Sequence, residues 1–277
     1  MSVTIKDVAK RANVSPSTVS RVISDSPRIS EETKRHVRRV MKEMGYHLNY
    51  NARVLAQQKT RTIGIVMKES SSRSLHDPFF PEVLRGISSY CNKQDYSITL
   101  TTGESEDEIY DDVVKMVRGK RVDGLIVTYS KKGDKVIPYL VESKIPFVLV
   151  GSPSEQAEHV IYVDNDNVKA AEDATDYLIE LGHRKIGYIG GDLNYEVSNA
   201  RFKGYQDALR KHDVPFEERY AVNPQGDFDL HDIVLRFMNL PEPPTSLVVT
   251  DDLVALKVLQ VCRNEGITVP DELSIIS

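Results

Sequence analysis

The chain has 277 residues, a formal net charge of −5, 40% hydrophobic residues and 28% charged ones, enough apolar material for one small and one larger domain. No apolar run is long enough to span a bilayer, and Lys6, Asp7, Lys10 and Arg11 break the N-terminus where a signal peptide needs an apolar stretch. Cys91 and Cys262 lie far apart without metal-ligand spacing, so the expectation is a cytoplasmic chain with two free thiols, no metal and no membrane.

Charge divides the chain. Residues 1–61 hold 13 Lys+Arg against 5 Asp+Glu, and the rest hold 23 against 36, giving +8 and −13. A basic head on an acidic body is the footprint of polyanion binding confined to one domain.

The head predicts three helices. The first runs from Thr4 to Ala12, with Thr4 and Asp7 as a capping-box-like start and Val8, Ala9 and Ala12 as a small apolar face. Asn13-Val14 is the turn, and Asn13 suits a left-handed position. The second helix runs from Ser15 to Ile23, with Ser15 as N-cap and Pro16 at its first position. Val19, Val22 and Ile23 pack inward, which leaves Pro16, Ser17, Ser20 and Arg21 facing out. A helix of this kind after such a turn is built for the DNA major groove. Arg21 is the candidate for a bidentate contact to guanine, and Thr4, Ser15, Thr18 and the helix N-terminus suit phosphate oxygens. The third helix starts at Ser30, buries Val37, Val40, Met41 and Met44, and stops at Gly45. Its Lys34, Arg35, Arg38 and Arg39 add positive field. Residues 51–58 are helix-prone but too short to be stable alone in water.

The runs Thr4-Ile5-Lys6-Asp7-Val8-Ala9 and Val14-Ser15, then Thr18-Val19-Ser20-Arg21-Val22, Gly45-Tyr46, Asn51-Ala52-Arg53 and Leu55-Ala56 resemble the lactose/galactose-repressor family of bacterial transcription regulators. The resemblance implies a homodimer on palindromic operator DNA. Pro16, Ser17 and Arg21 match the base-reading positions, and the link bearing Asn51, Ala52 and Leu55 would fold as a hinge helix. Leu55 would then wedge into the minor groove, trading unstacking for a bent duplex. Pro16 lacks the polar side chain some members carry there, which leaves it an apolar contact.

Beyond Thr62 strands and helices alternate, which predicts a parallel α/β sheet. Strands fall at 63–67, 96–101, 124–127 and 147–150, with helices at 80–92, 107–118 and 138–143 between them. The rhythm restarts with a helix over 168–181, a strand at 185–189, helices at 199–212 and 229–238, a strand at 246–249, a helix at 253–265 and a strand at 273–276. The fold class is thus an all-α helix-turn-helix head (1–50), a hinge (51–61), and a two-lobed α/β body (62–277, lobes 62–163 and 164–277). By resemblance that body is periplasmic-binding-protein-like, with a small-molecule effector between its lobes. Members of the family continue for several tens of residues after a strand like Ser274-Ile275-Ile276, so the sequence is expected to be truncated.

Position matching to the family gives Phe79, Phe80, Arg201, Phe228 and Asp252 as effector contacts, with Arg201 and Asp252 as a polar pair. Carboxylate, guanidinium and rings suit a sugar. Asp164-Asn165 also matches, as an effector contact or as a shaper of the lobe connection. Gly187-Tyr188-Ile189-Gly190-Gly191 lacks the spacing of a dinucleotide loop, and no nucleophile or metalloprotease motif occurs, so no catalytic residue and no cofactor are expected. The runs 77–87 and 192–199 are most similar to maltose-operon repressors of Gram-positive bacteria, which implies maltose or a maltodextrin as effector. The alternative is a catabolite-control type regulator whose body binds a phosphorylated carrier protein.

Overall fold

The computed structural model describes residues 3–46, 59–68, 78–154, 158, 160–226 and 228–277. Asn51, Ala52 and Leu55 lie outside the described residues. The chain parts into two compact units, Met1–Arg61 and Thr62–Ser277.

The first unit contains α1 (Ile5–Arg11), α2 (Pro16–Ile23) and α3 (Glu31–Glu43). Local chemistry sets each start. Thr4 closes a capping box with Asp7, and the Ser15 and Ser30 side chains accept from the Thr18 and Thr33 amides. Asn13 turns the chain at φ 53, and Gly45 follows α3 at φ 62. Val8, Ala9, Ala12, Val19, Val22, Val37 and Val40 form the core, with Met41 and Met44 packed against it. Each buried valine contributes about 1.5–3 kcal/mol.

The second unit is two lobes. In the first, β1 (Thr62–Val66), α4 (Phe79–Lys93), β2 (Ser97–Leu100), α5 (Glu106–Arg118), β3 (Gly124–Val127), α6 (Val136–Ser143), β4 (Phe147–Val150) and β5 (Ile161–Val163) build a parallel sheet of order β2-β1-β3-β4-β5. Helix α5 shows why: Ile109, Val113 and Met116 recur at helical spacing and are buried against Val122, Leu125 and Val127. In the second lobe, α7 (Asn167–Glu180), β6 (Ile186–Ile189), α8 (Glu196–Lys211), β7 (Ala221–Val222), α9 (Leu230–Met238), β8 (Ser246–Val249), α10 (Asp252–Asn264) and β9 (Ser274–Ile276) give a parallel sheet of order β7-β6-β8-β9. One face buries Leu178, Ile179, Tyr205 and Leu209 from α7 and α8, and the other buries Val234, Phe237 and Val258 from α9 and α10. Helices α7 and α8 approach so closely that a Cβ on Gly204 would lie 2.1 Å from the Val168 carbonyl oxygen, so only glycine fits there.

Strands β5 and β7 depart from the expected pattern. Each is too short, at three and two residues, to show as a β-periodic run, and β5 is exposed, with Val163 at 65%.

His231 joins α9 to α10. Its Nε2 lies 2.9 Å from Glu265 Oε1, and Glu265, helped by Asp229 and Asp232, raises the imidazole pKa above its ordinary 6.5. Folding therefore favours the protonated ring. This contribution is full below the unfolded value and is lost as pH rises through the raised one. Thermal melts at about pH 6 and pH 8.5 should show a larger fall in Tm for the wild type than for His231→Gln; equal falls would remove His231 from the pH dependence.

Candidate DNA interface and effector site

The second helix of the head presents the expected strip. Val19 and Val22 are buried, while Pro16, Ser17, Ser20 and Arg21 are exposed. The Arg21 side chain makes no ion pair among the described residues. The hydroxyls expected to meet phosphates have local duties. Thr4 Oγ1 donates to Asp7 Oδ2 at 2.6 Å. Ser15 Oγ accepts from the Thr18 amide at 3.1 Å and shares hydrogen bonds with the Ser17 and Thr18 hydroxyls at 2.8 and 2.9 Å.

On the third helix Arg35, Arg38 and Arg39 are exposed, as read, and Lys34 departs from that reading. Lys34 is buried and bonds Glu31 at 2.8 Å and Asp25 at 3.2 Å. Arg38 reaches the same Asp25 at 2.6 Å, and Lys34, then Arg38, hold that carboxyl below its ordinary pKa. These cations brace the turn after α2.

In the body the expected effector residues other than Arg201 follow the carboxyl end of a parallel strand or start the helix beyond it, where open α/β sheets bind ligands. Phe79 and Phe80 begin α4 beyond β1; their rings meet edge to face at 5.4 Å, and Phe79 is 47% exposed. Phe228 precedes α9 and is also exposed. Asp252 opens α10 instead of ending a strand, since Asp251 is the N-cap, accepting from the Val254 amide.

Arg201 and Asp252 are not bonded to each other. Arg201 lies in the second turn of α8 and donates through Nη1 to the Thr250 carbonyl at 2.8 Å and through Nε to Asn167 Oδ1 at 3.1 Å. Asp252 Oδ1 accepts from the Ser277 hydroxyl at 2.8 Å. Both groups nonetheless converge on the end of β8.

The connection between the lobes continues this network. Asp164 Oδ1 accepts from Asn167 Nδ2 at 3.0 Å, and its Oδ2 accepts from the Ser152 amide and hydroxyl at 2.9 and 2.8 Å. Ser152 follows β4 of the first lobe, so a chain of hydrogen bonds runs from that lobe to Arg201. Asn167, buried at 4%, was not singled out by sequence; an Asn at the start of a helix carries no signal of a partner 34 residues on.

The lobes also touch at the ends of β3 and β6. The Lys132 amide donates to the Asn194 carbonyl at 2.9 Å, and the Glu196 amide to the Ser130 carbonyl at 3.1 Å. Lys68 Nζ sits 3.9 Å from the centroid of the Tyr195 ring and Lys131 Nζ 5.5 Å from it. Lys131 is also ion-paired with Glu106. Among the described residues there is no cluster of metal-ligating side chains, and no helix is long and apolar enough to cross a membrane.

A helix-turn-helix unit ahead of two parallel α/β lobes, with polar and aromatic groups gathered at the strand ends, has the architecture of a regulator with a periplasmic-binding-protein-like body. Residues 4–49 match the family of bacterial regulatory proteins of lacI type, and residues 60–277 match the family of periplasmic binding proteins and sugar binding domain of the LacI family. The chain belongs to the LacI family. It is 46% identical over 210 residues to the HTH-type transcriptional regulator MalR of Streptococcus pneumoniae, covering 76% of this chain and 63% of that protein's length. It is 38% identical over 274 residues to MalR of Staphylococcus xylosus, covering 98% of this chain and 80% of that one. Among solved structures it is similar to the transcriptional regulator CelR in complex with cellobiose, at 29% identity and a TM-score of 0.70 over 99% of this chain and 81% of that one.

Proposed function

We propose that this chain is an effector-responsive DNA-binding repressor of sugar-utilisation genes, cytoplasmic and homodimeric, with maltose or a maltodextrin as effector and no enzymatic role. The observation that carries the sugar class is the similarity to MalR over nearly the whole chain, 38% over 274 residues. The strand-end groups agree with it: Arg201 and Asp252 suit hydroxyls, and Phe79, Phe80 and Phe228 can cover a pyranose face.

In this mechanism two heads read the half-sites of a palindrome, because operator symmetry mirrors protein symmetry. Pro16, Ser17, Ser20 and Arg21 face the major groove. Thr4, Ser15 and Thr18, held in their caps, set the approach of helix ends to phosphates. The link with Asn51, Ala52 and Leu55 enters the minor groove as a hinge. Effector binds the two lobe arrangements unequally, shifts the lobe angle and loosens the hinge, so operator affinity falls.

The test is operator-binding anisotropy at fixed salt, titrated with a sugar panel led by maltose and maltodextrins. Release by one of these sugars is expected. No release by any sugar of the panel would replace the sugar reading with a phosphoprotein or phosphosugar effector. On the same assay Arg21→Ala should cost about 1–3 kcal/mol on the cognate operator and relax base choice at one position. An equal loss on every sequence would assign Arg21 to phosphate.

A further inference from the structure

Two buried polar atoms near Arg201 stand unanswered. The Tyr188 hydroxyl and Asn223 Oδ1 are sealed from solvent and have no hydrogen-bond partner among the described residues. Tyr188 is wholly buried, and its ring packs against Tyr205 at 4.8 Å and Phe202 at 5.2 Å, so it is fixed in place. Native proteins rarely leave such groups unpaired unless a ligand or water answers them.

Their placement ties them to the effector site. Both converge on Gly190, just past β6: a Cβ there would lie 2.5 Å from Asn223 Oδ1 and 2.5 Å from Tyr188 Cε1. Asn223 follows β7, and the Gly190 amide bonds the carbonyl of Val222 at 2.9 Å. Burial raises the Tyr188 pKa, and the Arg201 charge and the Thr250 side chain, the one polar side chain that approaches the hydroxyl but falls outside normal hydrogen-bond geometry, oppose that rise. The unanswered atoms therefore lie at the carboxyl ends of two adjacent strands, beside the guanidinium already assigned to the effector.

We propose that Tyr188 and Asn223 form the polar floor of the effector pocket and select a neutral polyhydroxylated ligand through a hydroxyl that donates to Asn223 Oδ1 and accepts from the Tyr188 hydroxyl. This rests on the sensor reading above and deepens it. A hydroxyl both donates and accepts, so one group answers both atoms. A phosphate dianion offers only acceptors and would set its oxygens against the Asn223 oxygen. Asp192 and the Asp251–Asp252 pair follow the neighbouring strand ends β6 and β8, a setting that favours hydroxyl donors over anions. Asn223 is half-buried as a residue, although its Oδ1 is sealed.

The experiment is titration calorimetry of the wild type, Tyr188→Phe and Asn223→Ala with maltose and with glucose 6-phosphate, alongside ligand-free thermal melts. The wild type should bind maltose and not glucose 6-phosphate, and each variant should lose about 10-fold or more in maltose affinity. The ligand-free Tm of Tyr188→Phe should stay close to the wild type's, because no hydrogen bond of normal geometry holds the hydroxyl among the described residues. Wild-type maltose affinity in both variants would overturn the proposal while leaving the sensor reading intact. Preference for glucose 6-phosphate would overturn its ligand class. Failure of the wild type to bind any sugar of the panel would overturn the sensor reading, and this proposal with it.

Discussion

Arg201→Met is expected to lower effector affinity by about 100-fold, equivalent to about 2.7 kcal/mol, while leaving operator binding without effector unchanged. The guanidinium is anchored by the Thr250 carbonyl on Nη1 and Asn167 Oδ1 on Nε, and its other terminal nitrogen makes no hydrogen bond among the described residues. Hydrogen bonds to charged groups contribute about 1.5–3 kcal/mol each, and methionine keeps the length while removing every donor. A small fall in Tm should accompany the loss, because Asn167 is buried and loses a partner. Calorimetry and operator anisotropy separate the two effects. Unchanged effector affinity with a lowered Tm would make Arg201 a brace between α8 and β8 and remove it from the site.

Phe237→Ala should be the most damaging change to stability, at about 3–5 kcal/mol against a whole-domain stability of about 5–15 kcal/mol. Phe237 is 1% exposed in a cluster with Leu230, Val234, Leu247, Val258 and Leu273, so truncation leaves a cavity between α9, α10 and the sheet. Phe228 enters α9 and Asp252 opens α10; the same change should weaken effector binding without touching an effector contact. Urea denaturation with Phe237→Leu as control gives the size of the effect. A loss under about 1 kcal/mol would mean that the lobe collapses into the space, contrary to close packing.

Much of the fold was legible because its signals are local. Thr4, Ser15 and Ser30 announce helix starts through side-chain oxygens that accept from an amide three residues on, and Asn13 and Gly45 mark turns through backbone conformations few residues adopt. Strands β1, β3, β4, β6 and β8 stand out as continuous apolar runs, the mark of a sheet covered on both faces. What was not legible depends on distant partners. Lys34 reads as a surface cation until Asp25 and Glu31 close over it. Position matching brought Arg201 and Asp252 to the same strand end, but the partners that fix them, Asn167, Thr250 and Ser277, come from other parts of the chain. Tyr188 looked like one more buried strand residue, since nothing in the one-dimensional pattern tells an answered hydroxyl from an unanswered one.

The hydrogen bonds that join Lys132 to Asn194 and Glu196 to Ser130 run from backbone to backbone. They survive any side chain at those four positions except proline at the donor positions 132 and 196, which would remove the N–H. The segments that touch across the lobes can therefore exchange side chains while the contact between the lobes keeps its form. Side chains at the strand ends can change in such a body without rebuilding the backbone contact between the lobes.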